Sequence, residues 1–162
     1  MSEASLLLRL LDESFEKKAW QGPNLKGALR GVGAREAAWR PGAGRHNIWE
    51  LALHAAYWKY AVWRMLVREK RGAFGEKGSN WFERPASATE KAWRSDLALL
   101  DDMHARLRKA VAGLSAASLG TKPPGSKYRT DTLVYGVASH DVYHTGQIQM
   151  LKRLWKDRKN SR

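Results

Sequence analysis

Apolar residues recur at three- and four-residue spacing along four long stretches of the chain, the period of an amphipathic helix. Leu7, Leu8, Leu11 and Phe15 mark the first, predicted from Ser2 or Glu3 to about Trp20, with Asp12, Glu16, Lys17 and Lys18 off the stripe. Gly22-Pro23 ends it. A short helix is predicted over Leu25 to Arg30, after which Gly31, Gly33, Pro41, Gly42 and Gly44 mark a loop. The second long helix starts near Asn47, where Asn47 and Glu50 have capping-box spacing, and runs to about Lys70. Its inner face carries Leu51, His54, Ala55, Trp58, Val62 and Met65. Residues 71–86 hold Gly72, Gly75, Gly78 and Pro85 and read as a long connection. Trp81 and Phe82 are too apolar for a free loop and are expected to fold back onto the bundle, over a pocket.

The third long helix is predicted from Ser87, with Glu90 at capping-box spacing. Its stripe is Trp93, Leu97, Leu100, His104, Leu107, Val111 and Leu114. Gly120, Pro123, Pro124 and Gly125 make residues 115–130 a loop, and the fourth helix opens near Thr130-Asp131 and runs to about Asp157. No strand pattern extends beyond a few residues, and no repeat has a period of about 20–50 residues. Four long amphipathic helices in 162 residues predict an all-α fold, a four-helix bundle in one domain spanning residues 1–162.

Composition narrows the chemistry. The absence of cysteine excludes disulfides, zinc ribbons, iron–sulfur clusters and a thiol nucleophile, so any metal must be held by His, Asp, Glu or backbone oxygen. Eight tryptophans exceed what a small core requires, and several are expected to line a cavity or an interface. Arg9 interrupts the N-terminal leucines and acidic residues follow, which makes a poor signal peptide. No segment approaches the apolar length that spans a bilayer. The expectation is a soluble cytoplasmic protein with no membrane partner. The net charge of +13 raises the prospect of an anionic partner. The positive charges are spread along the chain, however, and the local excess from Lys152 to Arg162 falls at a helix C-terminus, where the dipole favours cations. Nucleic-acid binding therefore ranks last among the functional readings.

Three histidines carry the most specific signal. His140 and His144 are spaced i, i+4 and leave the same helix face as Val137, Ile148 and Leu151, so both imidazoles are expected to point inward. His54 lies on the inner face of the second long helix and supplies a third ligand from a facing element. Three neutral imidazoles suit Zn²⁺, Ni²⁺, Cu²⁺ or Fe²⁺, and they leave coordination positions open. The competing reading is ordinary hydrogen-bonded core histidines. His104 also falls on a core stripe, as a further ligand, an outer-sphere group or a hydrogen-bonded core residue, and His46 reads as a loop or cap residue. Gln147, Tyr143 and Asp141 are candidates to orient a ligand or a bound water. His140 to His144 also comes near the His-Glu-x-x-His pattern of zinc peptidases, but Asp141 stands where that pattern has its general base and no later His follows. Ser139-His140-Asp141 is no triad, because adjacent helix residues diverge, and Gly31-Val32-Gly33 follows no strand.

The stretches from His46 to His54 and from Ser139 through His140, His144, Gly146 and Gln147 to Ile148 resemble the DinB/YfiT-like superfamily of bacterial metal-binding four-helix proteins. The resemblance runs through nearly the whole chain in helix order and includes a tryptophan-bearing connection before the third long helix, here Trp81. It implies a bundle with a long connection between its second and third helices, a metal on His54, His140 and His144, zinc or nickel as that metal, and homodimers. Some relatives are S-transferases or isomerases that use a low-molecular-weight thiol. The resemblance thus implies a metal-dependent thiol transferase acting on a small electrophilic substrate. A hydrolase using a water on the metal and a non-catalytic, metal-stabilised binding protein are the alternatives.

Overall fold

A computed structural model describes residues 2–72, 74–84 and 89–158. The chain is all-α. Its helices are α1 (Glu3–Phe15), α2 (Leu25–Leu29), α3 (Ala34–Ala37), α4 (Ile48–Val67), α5 (Glu90–Ala112), α6 (Ala116–Leu119) and α7 (Thr130–Asp157). The long helices pack as a ring, α1 on α5, α5 on α4, α4 on α7 and α7 on α1. The connection between α4 and α5 is the long one, as the sequence predicts.

Local chemistry sets the boundaries. Asn47 caps α4 by accepting from the Glu50 N–H at 2.8 Å, and the Glu50 carboxylate faces the Asn47 N–H, so the capping box forms as expected. The other end of α4 comes earlier than Lys70. Arg68 takes a left-handed conformation (φ 58°) as C-cap and stops the helix at Val67. Helix α1 stops at Phe15 rather than near Trp20, because Asp12 draws the turn closed: its backbone oxygen accepts from the N–H groups of Glu16 and Lys17, and its carboxylate from Lys17 Nζ at 2.6 Å. The expected start of the third long helix at Ser87 lies outside the described residues. In the described part Thr89 is the N-cap of α5, accepting from the Ala92 N–H. The Glu90 carboxylate accepts from the Ala34 N–H at 2.7 Å and ties α5 to α3. Both stretches read as loops contain one-turn helices, α3 and α6, too short for periodicity to reveal.

The interior divides into two apolar clusters. One gathers Phe15, Trp49, Ala56, Trp93, Leu100, Met103 and Ile148, the other Leu7, Leu11, Val62, Leu107, Val111, Val134 and Val137. Each long helix also buries polar or charged side chains: Asp12 and Ser14 on α1, Lys59 on α4, His104 on α5, Asp141 on α7. Asp12 thus departs from its expected exposed position, and it is held by Arg108 Nε at 2.5 Å together with Lys17. Lys59 and Asp141 form an ion pair with both side chains fully buried. Ser14 Oγ approaches the same carboxylate at 3.5 Å, and the Lys59 ammonium lies 4.8 Å from the Phe15 ring centre. Burial pushes the Asp141 carboxyl up, against the pull of Lys59. Trp58 and Met65, expected on the inner face of α4, are less covered; Trp58 is 38% exposed.

Removing one member of a buried ion pair strands the other. Lys59→Met is expected to cost about 3–5 kcal/mol in urea unfolding, and Lys59→Met with Asp141→Leu to recover most of that loss. A double variant as unstable as the single one would contradict this account. His104 gives a second test. Its ring stacks on Phe15 at 3.8 Å, and among the described residues neither ring nitrogen has a hydrogen-bond partner. Burial, reinforced by Lys59, lowers its pKa from 6.5 to about 3. Between those values the unfolded chain binds a proton at His104 that the folded chain does not, so stability falls as pH falls through that window. His104→Phe keeps a ring against Phe15 and should remove about 1.4 kcal/mol per pH unit of that loss between pH 6 and 4. Urea midpoints with an unchanged pH slope would refute it.

Candidate metal centre

His54 projects from α4 toward α7, and His140 and His144 project back from α7 one helical turn apart. His140 Nε2 lies 3.0 Å from His54 Nε2 and 2.9 Å from His144 Nε2. The candidate ligand atoms of all three lie within 4.8 Å of one another. His54 and His144 are buried and His140 is half-buried.

For two of the rings a hydrogen bond on the outer face fixes which nitrogen carries the proton. His54 Nδ1 faces the Asn80 carbonyl oxygen at 2.8 Å, and a carbonyl only accepts, so Nδ1 donates and the Nε2 lone pair points inward. His144 Nδ1 faces Gln147 Oε1 at 2.6 Å with the same consequence. Gln147 is held in turn by Tyr143, whose hydroxyl accepts from Gln147 Nε2 at 3.3 Å. His140 Nδ1 is buried with no hydrogen-bond partner among the described residues. Two inward lone pairs therefore converge on His140 Nε2. A proton there serves one neighbour well and leaves the other lone pair facing nitrogen, whereas one cation satisfies all three. Nitrogens sharing a tetrahedral ion at about 2.0–2.1 Å stand roughly 3.4 Å apart; two of the three pairs here lie at 3.0 and 2.9 Å, and the third lies within 4.8 Å.

Electrostatics keep the rings neutral. Burial, with a smaller contribution from His144 and His46, lowers the His54 pKa to about 4 against the opposing hydrogen bond to Asn80. His140 falls to about 3 through burial and the neighbouring His144, His54 and Lys59. His144 is also lowered by burial, although Gln147 opposes the shift. Neutral imidazole is the form that ligates a metal. The three-His group could hold a metal ion.

The long connection closes one side. Trp81 stacks between His46 at 3.6 Å and His54 at 3.8 Å, nearly parallel to both. Phe82 is buried against Tyr57 and Phe74. Both residues fold back as the sequence suggests. Asn80 holds this arrangement at a positive φ of 66°, with its backbone oxygen on His54 and its side-chain oxygen accepting from Trp58 Nε1 at 3.0 Å. At its far end the connection is pinned where Asn47 Nδ2 donates to the Arg84 carbonyl at 2.8 Å. His46 precedes the N-cap Asn47: besides stacking on Trp81, its Nδ1 meets Glu50 Oε2 at 3.0 Å. Asp141 turns away from the imidazoles to Lys59, and His104 stands apart from the group, on Phe15. Sequence reading missed Asn80 and Lys59. Asn80 gives no pattern to read, but Lys59 sits three and four residues from Ala56, Ala55 and Val62 on the apolar face, which was a visible signal.

An all-helical ring with three converging imidazoles between two of its helices defines a helical protein with a site that could hold a metal. A family model described as the DinB superfamily matches residues 19–148. The chain belongs to that superfamily. No curated protein and no solved structure matches it.

The hydrogen bond from His144 to Gln147 makes a direct prediction. Gln147→Leu should weaken Zn²⁺ binding by about 10–100-fold, read by competition with a chromogenic chelator. Affinity equal to wild type would show that Gln147 does not orient the ring.

Proposed function

We propose that His54, His140 and His144 together bind one zinc or nickel ion, and that the protein is a metal-dependent transferase acting on a low-molecular-weight thiol. The observation that carries this reading is the pair of outer hydrogen bonds, from His54 to Asn80 and from His144 to Gln147, which turn both Nε2 lone pairs toward His140. When bound, the ion would lower the pKa of a thiol and make thiolate available near neutral pH. The thiol must come from solution, because the chain has no cysteine.

Access favours a reactive site over a closed structural one. A cavity of about 490 Å³ reaches His144 and is lined also by Arg45, His46, Trp81, Tyr143 and Gln147. Arg45 supplies a positive charge for the carboxylates of a thiol cofactor. Trp81 covers His54 and keeps water from its ring. In the transfer step the thiolate sulfur gives its electron pair to an electrophilic carbon, and the leaving group departs with the pair of the bond it loses. The thiol proton passes to solvent.

Plasma mass spectrometry of untagged protein should find near-stoichiometric zinc or nickel after incubation with either ion, and strong loss of it in His54→Ala, His140→Ala and His144→Ala. The loaded protein should then conjugate a small thiol to an electrophile faster than the chelator-treated protein. Wild type that takes up neither ion would defeat the proposal, and metal uptake with no thiol-dependent turnover would defeat its transferase half.

A further inference from the structure

A second cavity, of about 370 Å³, opens beside His140. It and the cavity at His144, which Arg45 lines, lie on either side of the imidazoles along both helices. On α7 the Arg45 cavity takes Gln147, Met150 and Leu151, C-terminal to the pair, while the second takes Thr132, Leu133, Tyr135, Gly136 and Val137, N-terminal to it. On α4 the Arg45 cavity takes Leu51, before His54, and the second takes Trp58, Val62 and Met65, after it. The candidate metal centre is therefore the meeting point of two separate cavities.

The two differ in character. The ten residues lining the second cavity include no Lys, Arg, Asp or Glu, although 28% of the chain is charged. Its walls offer the rings of Trp58, Tyr128 and Tyr135 and the aliphatic surfaces of Val62, Met65 and Val137. Its volume falls within the roughly 300–1,000 Å³ typical of small-molecule sites. Burying a charge in such walls would be costly, whereas an uncharged ring would gain both apolar burial and aromatic contact.

Gly136 is an independent observation. It lies in the interior of α7, where glycine weakens a helix relative to alanine. A Cβ built there meets nothing within 4 Å, so packing does not demand glycine. Gly136 lines the second cavity, and any larger residue would project toward that space.

We propose that this cavity binds the uncharged, aromatic part of the electrophilic acceptor, with its reactive carbon toward His140, while the cavity lined by Arg45 takes the anionic thiol. The acceptor role rests on the transferase reading; the binding preference does not.

The test uses the full chain, both metal-free and zinc-loaded, and isothermal titration calorimetry with naphthalene-2-carboxamide and naphthalene-2-carboxylate. In the metal-free protein the neutral amide should bind at least tenfold tighter than the carboxylate, despite the positive net charge. Gly136→Leu should weaken amide binding at least tenfold in both metal states while its Tm stays at or above that of wild type. Equal binding of amide and carboxylate to the metal-free protein, or unaltered amide affinity in a folded Gly136→Leu variant, would overturn the proposal. Metal uptake by the same samples separates the two readings. Amide binding without zinc uptake would keep an apolar binding cavity and overturn its acceptor role. Zinc uptake without amide binding would overturn the cavity assignment and leave the metal centre standing.

Discussion

The buried ion pair between Lys59 and Asp141 constrains the rest of the molecule. Both side chains are fully buried, one on α4 and one on α7, and neither has water to fall back on. A charge in that position is tolerated only while its partner is in place. Sliding α4 against α7 by one turn would separate the two and strand both charges. The pair therefore disfavours alternative registers that apolar residues alone would tolerate, since leucine, valine and alanine contacts exchange at small cost. His54 lies five residues before Lys59, and His140 is the residue before Asp141. The register that satisfies the ion pair is thus the register that brings the imidazoles together.

The remaining freedom is removed from outside the helices. Helix packing brings His54 and His140 near each other but does not choose a tautomer. Asn80 does that for His54, and it can do so only because the connection is pinned at Arg84 by Asn47 and folded inward by Phe82. The capping residue of α4 thus has two tasks. Asn47 starts the helix with its side-chain oxygen and, with its amide group, anchors the segment that orients a histidine two turns further along.

Much of this was legible in the sequence, and the limits have physical causes. The four long helices follow from apolar periodicity, and the three histidines from their place on inward faces. The Asn47 and Glu50 pair announced a helix start that the structure contains. Helix ends were less legible because they depend on single contacts, such as the left-handed Arg68 or the Asp12 carboxylate closing on Lys17. Asp12 was set on the polar side because charge ordinarily means exposure, and Lys59 was passed over despite its place on an apolar face. Their partners, Arg108 and Asp141, lie far away in the chain, and no local window reveals them. The same holds for Asn80, whose contribution to His54 is a backbone oxygen and leaves no trace in residue type. Asp141, adjacent in sequence to a histidine, serves the ion pair instead, since successive helix residues diverge.

The charge balance at the centre narrows the chemistry further. Lys59 and Asp141 cancel, and three imidazoles held neutral by burial contribute no charge. A divalent ion bound by such a set would keep its full double charge in a partly desolvated place, in a chain whose net charge is already +13. Sites with carboxylate or thiolate ligands offset that charge internally; this one would not. The natural compensation is an anionic ligand entering from the cavities, and the centre would favour the deprotonated form of whatever donor arrives. A thiol is well suited to this, because its pKa lies only a little above neutrality and a modest electrostatic pull makes it thiolate. The positive net charge would then have a place in the same account, drawing an anionic ligand toward a centre that would keep its positive charge until one bound.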